Sequence, residues 1–241
     1  MRTTARTLLA SALAVCTALA VASCAGTDAS AASAAGTGSA PRPTATARPW
    51  DHARGARVAL IGDSITGGHG LTIQQAWPSL LADAQHWQLS NLSCNGAGVL
   101  TQGDADDCAG TYDDLADRTV ALHPRVIIVQ ASSNDLGQDD DALPGAVEQL
   151  VVTLHRQLPH ARIIGLSAIW NESAPPAQLA RISSDLRSAV RQIGGTYVDI
   201  GEPLRDHPTW MQADDVHPTA RGQRAIETSV AAAFARDDVT F

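Results

Sequence analysis

Five short apolar runs alternate along the chain with longer stretches in which apolar residues recur every three or four positions. Arg57–Ile61 reads as a first strand and Gln88–Ser93 as a weaker second. Val126-Ile127-Ile128-Val129 is an unbroken β-branched run, the pattern of a strand covered on both faces. Arg162–Ser167 and Thr196–Ile200 read as the fourth and fifth strands. Between the runs, the spacing predicts helices over about Pro78–His86, Tyr112–Leu122, Leu143–Gln157, Pro176–Gln192 and Thr219–Ala235. Pro78 suits a first helical turn. In the fourth helix Leu179, Ile182, Leu186, Val190 and Ile193 recur at helical spacing. Repeated βα units imply a parallel sheet of about five strands with right-handed crossovers and helices on both faces, a three-layer α/β/α sandwich.

The N-terminal part has a different pattern. Arg2 and Arg6 precede an alanine-rich apolar run, Leu8 to Ala22, too short and small-sided for a good membrane span, so residues 1–23 read as a secretory signal. Val21-Ala22-Ser23-Cys24 closes it and resembles a bacterial lipobox, in which Cys24 would be lipidated and become the first mature residue. The alternative is ordinary cleavage after a small residue, with Cys24 incidental. Residues 24–49 are dominated by Ala, Ser, Thr, Gly and Pro, which cannot bury enough apolar surface to order themselves. Such a tether reaches on the order of 28 Å. Residues 50–241 suit one domain with one core, expected to act as a monomer.

Charge and cysteines narrow the field. The net charge is −8, all 17 basic residues are Arg, and no Arg cluster stands out, so nucleic-acid binding has little support. The only expected membrane contact is the lipid at Cys24. Cys94 and Cys108 are the two cysteines of the domain. In an exported protein a single pair points to a disulfide, worth about 3 kcal/mol, with two buried free thiols as the alternative. No Cys-x-x-Cys or His-x-x-x-His spacing accompanies them, so no metal site is expected.

The candidate chemistry starts where the first strand ends. Ile61-Gly62-Asp63-Ser64 sets a serine at the carboxyl edge of a parallel sheet, where open α/β folds place their sites. A serine hydroxyl is a weak nucleophile until a base takes its proton. Asp214-Asp215-Val216-His217-Pro218, near the far end, offers that base in His217. One turn can present Asp214 to His217, three residues on, and Asp215 is the rival carboxylate. Each motif also has a plain reading: Gly62-Asp63-Ser64 as a capped turn, and Asp214 to Pro218 as a solvated helix entry.

Serine first, then Gly96, Asn134 and a final Asp-x-x-His is the order of the SGNH (GDSL-type) hydrolases, and the chain resembles that family over nearly all of residues 57–235. The resemblance implies a flavodoxin-like α/β/α fold and a serine esterase that needs no metal or organic cofactor. It makes Ser64 the nucleophile, His217 the base and Asp214 the orienting carboxylate. The oxyanion would be held by the Ser64 amide, the Gly96 amide and the Asn134 side chain. Gly98 is the alternative to Gly96. The family usually has Gly-x-Asn-Asp where this chain has Ser132-Ser133-Asn134-Asp135, a departure that touches the loop backbone while leaving the donor in place.

Other residues carry weaker signals. Trp77, Trp170 and Trp210 fall near the loop edge, where an indole could stack on a sugar, although packing is the commoner role. His69 and His207 read as surface histidines, and Glu172 as a solvated residue or part of the site wall. The expected function is hydrolysis of carboxylic esters by an exported, envelope-anchored or extracellular enzyme. The absence of a long lid and the presence of the tether favour short-acyl substrates such as O-acetylated glycans. An acyltransferase using the same acyl-enzyme, or a non-catalytic binding protein on the same scaffold, are the alternatives.

Overall fold

The computed structural model describes residues 55–239 and residue 241. The expected signal, Cys24 and the tether lie outside them. Five strands, β1 (Arg57–Ile61), β2 (Gln88–Asn91), β3 (Val126–Gln130), β4 (Arg162–Leu166) and β5 (Thr196–Val198), form one sheet. All pairings are parallel and the spatial order is β2-β1-β3-β4-β5. Among the described residues six α-helices accompany it: α1 (Ser64–Gly67), α2 (Trp77–Gln85), α3 (Tyr112–Leu122), α4 (Leu143–Gln157), α5 (Ala177–Gln192) and α6 (Ala220–Arg236).

The strand pattern divides between two cores, because successive side chains point to opposite faces. Ile127 and Val129 join Ile61 and Ile163 in one cluster, under α3, α4 and α5. Val126 and Ile128 join Val58, Leu60, Ile164 and Leu166 in the other, with α2 and α6. The sheet is therefore the middle layer of three, as the apolar run of β3 implies. Trp77 is 0% exposed and belongs to the second core, so it is a packing residue with no face left for a sugar.

Where the elements end has local causes. After β5, the Ile200 amide goes to the Ser167 hydroxyl at 3.0 Å, so the chain leaves the ladder sooner than its apolar pattern suggests. After β2, Asn91 turns its side chain to the Thr66 carbonyl and the Ser93 amide, drawing the strand end toward α1. Helix α1 was not expected; four residues are too few to show a period.

The order β2-β1-β3 places a topological switch between β1 and β3. Chain leaving β1 crosses to one side of the sheet and chain leaving β3 to the other. The crevice beyond their carboxyl ends is where such sheets bind ligands. Ser64 follows β1 and Asn134 follows β3, so both border it.

Candidate active site

The turn out of β1 is built for a buried serine. A Cβ at Gly62 would lie 2.6 Å from the Thr66 side chain, so only glycine allows so tight an exit. Asp63 then caps α1, its Oδ1 accepting the Ile65 amide at 3.0 Å and the Thr66 amide at 3.4 Å. Neither contact uses the Ser64 amide. Ser64 itself is 7% exposed. Gln223 on α6 fixes this segment from the helix layer it shares with α2: it donates to the Ile65 carbonyl and accepts the Trp77 amide, both while fully buried.

The partner loop precedes α6. Met211 and Pro218 pair as an antiparallel bridge, and the Gln212 amide donates to the His217 carbonyl at 2.7 Å. Across this small hairpin, Asp214 Oδ1 accepts the Val216 and His217 amides at 3.0 Å each. Its Oδ2 lies 2.7 Å from His217 Nδ1, and His217 Nε2 lies 2.9 Å from Ser64 Oγ. The His217 amide, the His217 ring and the Val216 amide hold the Asp214 carboxyl well below the usual carboxylate range. Asp215 sits apart. Its backbone is left-handed at φ 56°, its side chain is exposed, and its carbonyl accepts Asn171 Nδ2. The structure therefore brings Asp214, and not its neighbour, to the imidazole.

The loop after β2 approaches from the other side. Gly96 has φ +72°, a conformation that L side chains rarely adopt, and an added Cβ would lie 2.9 Å from Asp104 Oδ1. Gly98 lacks a side chain for a different reason: a Cβ there would fall on the Asp135 carboxylate. Asp135 is fully buried and accepts the Val99, Leu100 and Thr101 amides at 2.7, 3.0 and 3.1 Å. Asn134 Nδ2 donates to the Ala97 carbonyl at 3.0 Å. A primary amide has two such protons, so one remains for a substrate. Cys94 and Cys108 are bonded, their Cα atoms 5.8 Å apart. The disulfide and the Asn95 amide contact to Asp107 Oδ2 at 2.7 Å brace the loop that carries Gly96.

Asn134→Ala is expected to lower kcat about 10²–10³-fold with KM little changed, because an oxyanion donor matters most once charge has developed. Steady-state kinetics on one soluble ester checks this. An unchanged kcat would remove Asn134 from the site.

Two neighbours were not legible as site residues. The His69 ring lies over the His217 ring, centroids 4.3 Å apart and tilted by 33°, and its amide donates to the Ser64 carbonyl at 3.0 Å. Gln212 Nε2 reaches both the His69 and Pro218 carbonyls, tying the two loops together. Asp135 directly follows Asn134, and a carboxylate just past a buried strand was the available signal for it. Trp170 and Trp210 are partly buried and pack against the two cores. Trp210 stacks on His207 at 3.6 Å and Arg221 lies over its ring, while the half-buried Trp170 donates Nε1 to Ser173 Oγ. Glu172 is half-buried, and its Oε2 finds no partner among the described residues.

Residues 60–225 match the GDSL-like lipase/acylhydrolase family. Among curated proteins, the Escherichia coli K12 thioesterase 1/protease 1/lysophospholipase L1 is 27% identical over 177 residues, covering 69% of this chain and 77% of that protein. The Vibrio mimicus arylesterase is 22% identical over 195 residues, covering 73% and 86%. Among solved structures, a family two carbohydrate esterase from Cellvibrio japonicus superposes with a TM-score of 0.59 at 19% identity, covering 76% of this chain and 61% of that one.

Proposed function

Because the chain belongs to the GDSL-like lipase/acylhydrolase family and is an ester hydrolase of that kind, we propose that it works through an acyl-enzyme on Ser64. The 2.9 Å contact of Ser64 Oγ with His217 Nε2 carries this reading. Ser64 Oγ attacks the ester carbonyl while His217 Nε2 takes its proton. Asp214 holds Nδ1–H and stabilises the imidazolium. The tetrahedral oxyanion is received by the Ser64 and Gly96 amides and by Asn134 Nδ2. Collapse expels the alcohol, which leaves with the proton from His217. Water, activated by the same imidazole, then releases the acid.

The substrate is proposed to be a short-acyl ester such as an O-acetylated glycan, met outside the cytoplasm. Three features support this. The Asp214 side chain is 46% exposed, so the site stands open at the surface. The Cys94–Cys108 bond suits an oxidising compartment. The residue pattern of 1–49 reads as an export signal and tether. The deciding experiment is a panel of acetyl to long-chain esters, with thioester and aryl ester members, run on wild type and Ser64→Ala side by side. Turnover that rises with chain length would overturn the short-acyl reading. Transfer of the acyl group to an added glycan, in place of release as free acid, would make the enzyme an acyltransferase.

Anchoring is proposed at Cys24. The mature protein is expected to partition into detergent and to begin at a diacylglyceryl-modified Cys24, as read by mass spectrometry of its N-terminus. One acyl chain binds membranes only reversibly, and the two chains of a diacylglyceryl group make the attachment stable. A soluble mature chain whose behaviour is unchanged by Cys24→Ala would refute the anchor.

A further inference from the structure

Ser132 stands where the family's usual block has glycine, and its hydroxyl is fully buried among three segments. Oγ lies 2.8 Å from Asp63 Oδ2, in the cap of α1, and 2.9 Å from the Ala97 carbonyl oxygen, in the Gly96 loop. It also accepts the Asn134 amide at 3.1 Å. The same Ala97 carbonyl receives Asn134 Nδ2 at 3.0 Å. One hydroxyl thus joins the segments that carry Ser64, Gly96 and Asn134.

The protons of this cluster can be counted. A serine hydroxyl has one to give and a carbonyl oxygen has none. One proton serves both oxygen–oxygen contacts only as a shared, three-centre bond; two full bonds at these distances need two protons, and of the two partners the Asp63 carboxyl alone can carry the second. We propose that Asp63 is a neutral carboxylic acid donating to Ser132, that Ser132 donates in turn to the Ala97 carbonyl, and that this relay makes Ser132 a positioning residue for the oxyanion hole. The positioning role rests on the esterase reading; the protonation of Asp63 does not.

The surroundings agree. Asp63 is 1% exposed, and burial, the largest influence on its carboxyl, raises it against the opposing contacts from Ser132 and the Thr66 and Ile65 amides. The titratable groups facing the cluster are few. His217 favours the ionised form of Asp63. Tyr112 lies beside Ser132, its buried hydroxyl without a partner in hydrogen-bond geometry, and Asp63 and then Asp135 act on it electrostatically. A buried carboxylate next to the nucleophile would oppose the negative charge that develops on the substrate. A neutral acid supplies the same cap without that charge, and it avoids the cost of taking an ion out of water.

Infrared difference spectroscopy of wild type against Asp63→Asn, at neutral pH, reads the protonation directly. Loss of a carboxylic-acid carbonyl band in the variant is expected; loss of a carboxylate band overturns the proposal. If Asp63→Asn folds poorly, Ser132→Ala should shift the same carbonyl band, and an unshifted spectrum overturns it equally. In kinetics, Ser132→Ala should lower kcat roughly tenfold while KM moves by less than about twofold. A wild-type kcat in Ser132→Ala, beside an active wild type, overturns the positioning role alone. A wild type inactive on every ester of the panel overturns the esterase reading and the positioning role with it, while the infrared result still decides the state of Asp63.

Discussion

Ser64→Ala is expected to lower kcat for ester hydrolysis by about 10⁶ while the fold persists. The hydroxyl makes one side-chain contact, to His217 Nε2, and the structural bonds of this residue run through its carbonyl, which receives the Gly68 and His69 amides. Removing Oγ therefore takes away the proposed nucleophile and leaves the turn. His217→Ala should cost nearly as much, and the double variant hardly more than either, because nucleophile and base act as a unit. A serine-directed phosphonate should label Ser64 in the wild type and nothing in Ser64→Ala. Thermal melts of the two proteins should nearly coincide. A label on any other residue, or near-normal turnover by Ser64→Ala, would refute the mechanism.

Much of the fold could be read from pattern because the pattern had a local cause. The β-branched run of β3 and the apolar spacing of α3 and α4 put their limits within about a residue of the structure, as each element buries a face along most of its length. β5 was read too long, since Ile200 is apolar and buried yet gives its amide to Ser167 across the sheet edge. The same divide runs through the site. Ser64, Asp214 and His217 stand in motifs whose order along the chain names them, and the structure brings them within hydrogen-bond distance. His69 and Ser132 act through partners distant in sequence, His217 and Asp63, so nothing in their immediate neighbours announces them, and Asp135 is marked only by its place after Asn134 while its partners run from Val99 to Thr101. Gly98 and Gly96 look alike in sequence. They separate only when the Asp135 carboxylate is seen occupying the space of a side chain at Gly98.

Asp214→Asn is expected to lower kcat about 10⁴-fold, and its neighbour Asp215→Asn to change it by no more than about twofold. The reason lies in how the two oxygens of Asp214 are used. Oδ1 is engaged by the Val216 and His217 amides, leaving Oδ2 for the His217 Nδ1 proton. An asparagine has one carbonyl oxygen, and the two amides claim it, so its NH₂ must face Nδ1. The imidazole then carries its proton on Nε2, which can no longer receive one from Ser64. Asp215 is exposed in a left-handed conformation that asparagine also tolerates, so its replacement should disturb neither loop nor ring. The pH dependence of stability provides a second reading of the same contacts. Because the folded Asp214 carboxyl is held below its unfolded value of about 4, its contribution is fully present above that pH and is lost as pH falls toward the depressed folded value. The difference in Tm between wild type and Asp214→Asn should therefore be steady from neutral pH to about 5 and shrink below about 4. Equal losses of kcat in the two Asn variants, or a Tm difference that widens on acidification, would place the orienting carboxylate elsewhere.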